Sequence, residues 1–222
     1  MCGRFNLQPD GKTEAMLRHL KVSGTPRYAA DIAPGTVISM VRGGAQEREL
    51  ATAIWWLLLD PTTLKPNYQY ASFNSRYDKL NEPRALAYHP FRTSRCIIPA
   101  SAFVEGLGDK QTYHKIEHVD RAIAFGGLYR TYVNAATGAV VHGASIITLP
   151  PVDKWRTIHP KSLPLMLDVD DEDLLSRWLD PTFTEISVFA DVLKPVLRQP
   201  QWVTPIDKPG TWRVVGESKL IS

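Results

Sequence analysis

Residues 122–148 have the sequence AIAFGGLYRTYVNAATGAVVHGASIIT, and this stretch decides which kind of fold the chain can adopt. Its two halves, 122–133 and 139–148, are rich in β-branched, aromatic and other apolar residues, a composition that favours strands. The five residues between them, Asn-Ala-Ala-Thr-Gly, are typical of a turn. The sequence therefore predicts two long strands joined by a turn in the middle of the chain.

Further strand-like runs lie on both sides of this stretch. Because few helical segments separate them, they favour a largely antiparallel sheet that closes or folds on itself over a doubly wound fold. The runs are 36–41, 49–59, 95–98, 102–105, 112–117 and short pieces of 201–221. Gly43 and Gly44 suit a hairpin connection between the first two. We predict an α+β fold with a mainly antiparallel, barrel-like β core decorated by a few helices.

Three segments favour helices. Residues 12–21 place their apolar side chains near one face, and residues 170–179 begin with acidic residues and continue with apolar residues at helical spacing. Residues 78–88 suit a helix if Pro83 lies in its first turn. No Gly/Ser-rich or Pro-rich linker divides the chain, so we expect one domain, 1–222.

Charge and hydropathy restrict the possible partners. The formal net charge of +3 and the pI near 8.8 are compatible with a polyanionic partner, but they are much milder than those of a basic tail. The most apolar stretch, Ala51 to Leu59, is too short to cross a bilayer. The first residues, Met-Cys-Gly-Arg-Phe, lack the features of a secretory signal. We expect a soluble, cytoplasmic protein without a membrane partner.

The chain contains two cysteines, Cys2 and Cys96. A disulfide is not expected, because cytosolic thiols are kept reduced. Cys96 lies in the apolar run 96–98, and we expect it to be a buried core residue.

Cys2 has a distinct chemistry, because methionine aminopeptidases remove Met1 when the second residue is small. Removal exposes an α-amine and a thiol whose pKa values are about 8 and about 8.5 when unperturbed. The amine can condense with an aldehyde, and the thiolate can then close a thiazolidine ring. The alternative is that Cys2 is an incidental residue at a frayed terminus. The following Gly3 and Phe5 weigh against that alternative, since Phe5 can anchor the terminus in a core.

Several short motifs follow one another in a specific order. They are Met1-Cys2-Gly3-Arg4-Phe5, Ala33-Pro34-Gly35, Asn74-Ser75-Arg76, the run from Arg95 to Ala100 leading to Glu105, Phe125-Gly126-Gly127-Leu128, Ile146-Ile147-Thr148 and Ile158-His159. This order resembles that of the SRAP (SOS response-associated peptidase) family. The resemblance covers about residues 1–180.

The resemblance implies abasic-site processing. Cys2, once Met1 is removed, would join the ring-opened aldehyde of an abasic site in single-stranded DNA as a thiazolidine, which shields the strand from cleavage. Glu105 matches the family's glutamate and suits a general acid/base for the carbinolamine and Schiff-base steps. The peptidase activity in the family name is expected to be self-removal of Met1, with Cys2 and Glu105 taking part.

Further matching residues have implied roles in binding the lesion. His159 matches the family's histidine and suits proton donation to the sugar ring oxygen. Asn74 and Thr148 would hold the adduct by hydrogen bonds. The remaining implied DNA contacts are Arg4, Arg76, Lys161 and Pro34, the cations with phosphates and the proline as a wedge between bases. Lys161 stands where the family commonly has arginine, so its contact should be weaker.

The implied partner is single-stranded DNA containing abasic sites, with no cofactor and no metal. The protein is expected to be a monomer and to associate with the nucleoid when it is bound to DNA. His114, Glu117 and His118 have a spacing that could suggest a metal site, but their segment favours a strand and no further ligands stand at a motif spacing.

The chain departs from the family pattern at several positions. The usual Trp-Gly-Leu is Trp55-Trp56-Leu57, and Gly106 replaces the tryptophan that commonly follows the glutamate. Asp31 replaces an asparagine, and its negative charge would lower DNA affinity if it faces the groove. The C-terminal motif is hardly recognisable.

Two other classes of function stay open at the level of sequence. Glutamine amidotransferases with an N-terminal nucleophile also begin Met-Cys-Gly, although their downstream Asn-Gly-Asp element is absent here. The other class is a non-catalytic binder of single-stranded DNA in which Cys2 only anchors the terminus.

Overall fold

The hairpin predicted from residues 122–148 is the centre of a β-barrel in the computed structural model, which describes residues 3–43 and 47–222. Within these residues the strands are β1 Phe5–Leu7, β2 Ala29–Ile32, β3 Val37–Gly43, β4 Arg48–Ile54, β5 Asn74–Arg76, β6 Arg95–Ala100, β7 Ala102–Gly106, β8 Tyr113–His118, β9 Ile123–Val133, β10 Val140–Leu149, β11 Leu163–Pro164, β12 Gln201–Ile206 and β13 Lys219–Ile221. The helices are α1 Gly11–His19, α2 Tyr88–Thr93 and α3 Glu172–Leu179, with 3₁₀ turns at Tyr77–Lys79, Asp153–Trp155 and Ile186–Ala190.

The barrel closes through the pairing of β9 with β10. Its strands follow the order β10-β4-β3-β6-β9 and return to β10, while β5 and β11 extend it along β10. The pairs are antiparallel except for those that β10 makes with β4 and β5. The predicted α+β fold with a mainly antiparallel, barrel-like core is therefore confirmed.

A second sheet has the order β13-β12-β8-β7-β1-β2. Ser101 alone separates β6 of the barrel from β7 of this sheet, so the chain passes directly from one to the other. The Ser101 hydroxyl accepts from the backbone N–H of Gln8 at 2.8 Å, which ties the bend to β1 and the residue that follows it. This junction fixes the direction in which β7 leaves the barrel.

Aromatic side chains fill the space between the barrel and the second sheet. Phe5 and Phe103 from the sheet lie with their ring centroids 6.0 and 5.4 Å from that of Phe125 on β9. Phe103 also stacks on Trp155 at 5.9 Å. All four rings are essentially inaccessible to solvent, so their burial holds β1, β7 and the Trp155 turn together.

Two of the three predicted helices are confirmed. α1 lies within 12–21 apart from its first residue, and α3 occupies most of 170–179 with Asp171 as its N-cap. The helix predicted over 78–88 is wrong. That segment has one 3₁₀ turn followed by further turns, and α2 begins at Tyr88. Pro83 disfavours helical backbone at the residue before it, which explains the difference.

Arg95 connects the helices to the barrel. It is 2% exposed, and burial lowers its pKa to about 10. Its guanidinium donates to the backbone carbonyls of Phe91, Arg92, Arg177, Trp178, Asp180 and Phe183. These carbonyls belong to the ends of α2 and α3 and the residues that follow, where unpaired acceptors and the helix dipole favour a cation.

The other sequence-based expectations have mixed outcomes. β3 and β4 pair antiparallel as expected, but Gly44 of the proposed connection lies outside the described residues. Cys96 is a free, fully buried thiol, and burial raises its pKa. None of the helices among the described residues combines the length and the apolar composition that crossing a bilayer requires.

Gly106 allows an aromatic ring to lie directly on the backbone at the end of β7. A Cβ atom at this position would be 2.9 Å from Cδ1 of Tyr113, the residue paired with it on β8. The ring therefore occupies space that any larger residue would need. The loss of the family's tryptophan at 106 is thus accompanied by an aromatic residue from the neighbouring strand.

We predict that Gly106→Ala destabilises the fold by about 1–3 kcal/mol, because the new methyl group overpacks against Tyr113. Gly11→Ala is the matched control, since nothing lies within 4 Å of a Cβ at that position. Denaturant unfolding of both variants, and of Gly106→Ala combined with Tyr113→Ala, measures the effect. The double variant should lose less than the sum of the single variants. Equal stability of the two glycine variants would contradict this packing.

Candidate functional site

Glu105 lies on β7 with its side chain turned away from solvent. The residue is 3% exposed, and this burial raises the pKa of its carboxyl group to about 7. A carboxyl group with such a pKa is populated in both protonation states near neutral pH. Glu105 can therefore both donate and accept a proton, as a general acid/base requires.

His159 places its imidazole beside this carboxyl group. It follows the Asp153–Trp155 turn, and its backbone N–H donates to Trp155 O at 2.8 Å. The Nδ1 atom lies 3.4 Å from Glu105 Oε2 and 2.6 Å from the carbonyl oxygen of Gly106. Because a carbonyl oxygen can only accept, we assign the proton of the neutral ring to Nδ1, which leaves Nε2 as an acceptor.

The His159 environment favours the neutral ring. Burial lowers its pKa, the hydrogen bond to Gly106 raises it, and the nearby positive charge of Lys161 lowers it further. Glu105 and His159 are thus shifted in opposite directions, each toward its uncharged form. Such a pair can exchange protons with a bound substrate without a permanent buried charge.

A cavity of about 270 Å³ opens beside Glu105. Its lining residues are Gly3, Arg4, Val104, Glu105, Gly106, Tyr113 and Pro209. Arg4 is held next to β7 because its carbonyl oxygen accepts from Val104 N–H at 2.9 Å. Cys2 lies outside the described residues, but the residue that follows it is part of this cavity wall.

A second group of predicted residues lies on β5 and β10. Asn74, Ser75 and Arg76 pair in parallel with residues 146–148, so that Arg76 is opposite Thr148. Asn74 is half-buried and Arg76 is exposed. Thr148 is 3% exposed, which leaves it little surface for direct contact with a strand of DNA.

Asn74 and Arg76 border an open groove of about 480 Å³. The groove also contains Lys79 and Arg84, and Tyr70 at its edge is 62% exposed. Cations beside exposed aromatic rings are typical of single-stranded nucleic-acid surfaces. Sequence reasoning missed these three residues, although basic and aromatic residues so close to the Asn74-Ser75-Arg76 motif were a usable signal.

Trp55 connects the two groups of residues. Phe5, which follows Arg4, lies with its ring 4.8 Å from the Trp55 ring, and Phe73, which precedes Asn74, lies 5.8 Å away. The indole N–H of Trp55 donates to the Phe73 carbonyl at 2.8 Å. The backbone segments that carry Arg4 and Asn74 are therefore held against the same buried side chain.

Pro34 lies in a turn next to exposed aromatic surface. Gly35 N–H donates to Trp55 O at 3.1 Å, and the Tyr68 hydroxyl lies 3.1 Å from where a Cβ of Gly35 would be. Tyr68 is 71% exposed and packs edge-on against Trp56 at 5.0 Å. Trp56, a departure from the family pattern, thus supports an aromatic residue beside the proposed wedge.

Both arginines proposed for DNA contact have carboxylate partners. Arg76 forms two hydrogen bonds with Asp78, at 2.9 and 2.7 Å, and Arg4 forms an ion pair with Asp31. Lys161 is exposed. Across the described part of the chain, no three or more His, Cys, Asp or Glu side chains are grouped so that they could hold a metal ion.

Two curated proteins are similar to this chain over most of its length. "Abasic site processing protein YoqW" of Bacillus subtilis (strain 168) is 27% identical over 203 residues, which cover 88% of this chain and 87% of that protein. YobE of the same organism, with the same description, is 26% identical, with coverage of 88% and 89%.

Two crystal structures have the same fold. A protein from Bordetella bronchiseptica superimposes with a TM-score of 0.70 at 20% identity, covering 93% of this chain and 100% of that one. A protein from Bacteroides thetaiotaomicron also has a TM-score of 0.70, at 18% identity, with coverage of 91% and 92%.

The model of one protein family, SOS response associated peptidase (SRAP), matches residues 1–208. This match covers almost the whole chain, and it includes β7 with Glu105, the turn with His159 and the β5–β10 pair. The chain belongs to the SOS response associated peptidase (SRAP) family.

Proposed function

We propose that this protein processes abasic sites in single-stranded DNA by covalent capture through Cys2 after removal of Met1. The observation that carries the proposal is the contact between the buried carboxyl group of Glu105 and the imidazole of His159, at a cavity that Gly3 lines. The names of the curated relatives support abasic-site processing as the activity.

The proposed reaction forms a thiazolidine. The α-amine of Cys2 adds to the aldehyde carbon of the ring-opened sugar and gives a carbinolamine. Loss of one water molecule gives a Schiff base, and the thiol then adds to the imine carbon and closes the five-membered ring. One water molecule is released overall, and no oxidant or reductant is required.

Glu105 is the proposed proton carrier in this sequence. As a carboxylate it accepts the proton that the amine loses during addition, and as an acid it protonates the hydroxyl group that leaves as water. Both steps use the same side chain, because the raised pKa keeps both forms populated near neutral pH.

His159 is proposed to assist opening of the sugar. Protonated on both nitrogens, it can donate from Nε2 to the ring oxygen while Nδ1–H stays on Gly106 O. Its lowered pKa makes the protonated ring a stronger acid but a smaller fraction of the population. Self-removal of Met1 is proposed as hydrolysis of the Met1–Cys2 peptide bond by one water molecule, with the Cys2 thiol and Glu105 as its acid/base taking part and free methionine released.

Binding of the strand is assigned to the surfaces around the cavity. Arg4, Arg76 and Lys161 are the proposed phosphate contacts, and Pro34 is the proposed wedge. Asn74 is proposed to hydrogen-bond the adduct. Thr148 is buried and lies opposite Arg76 on the neighbouring strand, so its proposed contribution is to support that strand.

We predict that wild-type protein forms a denaturation-resistant adduct with an oligonucleotide containing one abasic site, and that Cys2→Ala abolishes it. Denaturing gel electrophoresis measures the adduct. Cys96→Ala is the matched control, since it removes the other, fully buried thiol and should retain the adduct. A retained adduct in Cys2→Ala would indicate another nucleophile, binding of the strand by the wild type without any adduct would support a non-catalytic binder, and glutamine hydrolysis that depends on Cys2 would support an amidohydrolase.

We predict that Glu105→Gln slows adduct formation on the order of a hundredfold at pH 7.5, because the amide cannot transfer protons. The wild-type rate should fall as the pH is lowered through about 7, where the Glu105 carboxylate is protonated. The variant should lose this inflection, while the one from the Cys2 amine near about 8 remains. Glu117→Gln on β8 is the control.

Unfolding experiments test the same pKa without DNA. The folded state raises the pKa of Glu105 above its ordinary value of 4.5, so the folded state binds the proton more tightly. The contribution of this proton to the free energy of unfolding is fully present below pH 4.5 and is lost as the pH rises through about 7. Glu105→Gln should remove this part of the pH dependence. If the free energy of unfolding varies with pH in the same way in wild type and variant, the raised pKa of Glu105 is contradicted.

We predict that Met1 is absent from purified wild-type protein and retained in Glu105→Ala, because that variant lacks the acid/base for self-removal. Amino-terminal mass measurement distinguishes the two forms. Expression in a host with inhibited methionine aminopeptidase removes the competing route. Equal processing of both proteins under these conditions would contradict self-removal.

A further inference from the structure

The segment that follows β12 forms a closed loop next to the site. We define residues 207–213 as the C-terminal strap; all but its first two residues lie beyond the family match. Asp207 holds it closed, because its carboxylate accepts from Lys208 N–H at 2.7 Å, Arg213 Nε at 3.1 Å and the Thr211 hydroxyl. The backbone N–H of Asp207 also donates to Arg213 O at 3.0 Å.

The C-terminal strap contacts the residues around Glu105. Pro209 lines the Glu105 cavity, and a Cβ at Gly210 would lie 3.8 Å from Arg4 Nη1. Trp212 Nε1 donates to Asp31 Oδ1 at 3.0 Å, while Asp31 Oδ2 is in an ion pair with Arg4 Nη1. One carboxylate thus has an indole N–H on one oxygen and the guanidinium on the other.

We propose that Asp31, oriented by Trp212, masks the positive charge of Arg4 in the free protein, and that Arg4 exchanges this carboxylate for a DNA phosphate on binding. The inference rests on the proposed function, which makes Arg4 a phosphate contact. It assigns Asp31 and Trp212 as positioning residues that limit the affinity for DNA without a captured lesion.

The exposure of the pair makes the exchange feasible. The side chains of Arg4 and Asp31 are 31% and 34% exposed, so both remain partly hydrated and the ion pair between them is weak. A phosphate approaching from solvent can therefore replace the carboxylate. Asp31 does not lose all its partners in the exchange, because the Trp212 indole still donates to it.

Trp212 is fixed by the strap and not by a helix or strand. Its backbone has φ +54°, a conformation that is uncommon for residues other than glycine. The backbone N–H of Trp212 donates to Lys208 O at 3.3 Å, so the turn that Asp207 closes also sets the direction of the indole. A carboxylate at 31 without this donor would be free to rotate away from Arg4.

The test is equilibrium binding of single-stranded DNA without an abasic site, measured across salt concentrations. Asp31→Asn should bind about twofold to fivefold more tightly than wild type, in keeping with the release of one exposed ion pair. Its log–log salt slope should steepen by up to about 0.7, the value for one phosphate contact on a single strand, because in the wild type the displaced Asp31 carboxylate takes up a cation that offsets this release. Trp212→Phe, which keeps an aromatic ring but removes the indole N–H, should shift affinity in the same direction by a smaller factor.

Asp120→Asn is the matched control. It makes the same change in net charge at an exposed position beyond the His118 end of β8, whereas Gly106 pairs with the opposite end. In an Arg4→Gln background, Asp31→Asn should give no more than the control effect, because no cation is left to unmask.

Unchanged affinity and slope in Asp31→Asn, with a normal abasic-site adduct, would overturn the masking while the proposed function stands. The same conclusion follows if Asp120→Asn has an equal effect. Absence of single-strand binding by wild type and Asp31→Asn alike, together with absence of an adduct, would overturn both.

Discussion

The buried contact between Glu105 and His159 is the constraint on which the site depends. Glu105 is 3% exposed and His159 is 6% exposed. Burial disfavours the charged form of each side chain, so it shifts both pKa values toward the neutral forms. Their placement is determined by the fold, because Ser101 directs β7 out of the barrel and Trp155, stacked on Phe103, positions the turn that carries His159. The opposed pKa shifts at this site are therefore a consequence of core packing.

The strands were predictable because their signals are local. Residues 122–148 contain two apolar runs around a turn, and they form β9 and β10 as expected. The helix predicted over 78–88 failed where Pro83 favours turns, and this error concealed Lys79 and Arg84 as part of a groove. The contact of Glu105 with His159, 54 residues apart, has no local signal, so only the order of family motifs indicated it.

The departures from the family pattern are explained by partners that are distant in sequence. Gly106 is matched by the ring of Tyr113 from the next strand, and Trp56 supports Tyr68 through an edge-on contact. Asp31 is matched by Arg4 and by Trp212, 181 residues away. When one residue of such a pair is considered alone, it looks like the loss of a family feature. Periodicity and spacing cannot reveal these pairs, because the fold alone brings their members together.

Net charge is a poor guide to how strongly the proposed groove attracts DNA. Arg4 and Arg76 each have a carboxylate within ion-pair distance, Asp31 and Asp78. Each of the two proposed arginine–phosphate contacts therefore requires the exchange of one anion for another, and the gain from each is small. A protein with this arrangement would release intact single strands readily. Persistence at a lesion would then come from the covalent bond to Cys2, so selectivity would depend on the aldehyde and not on the strength of the electrostatic contacts.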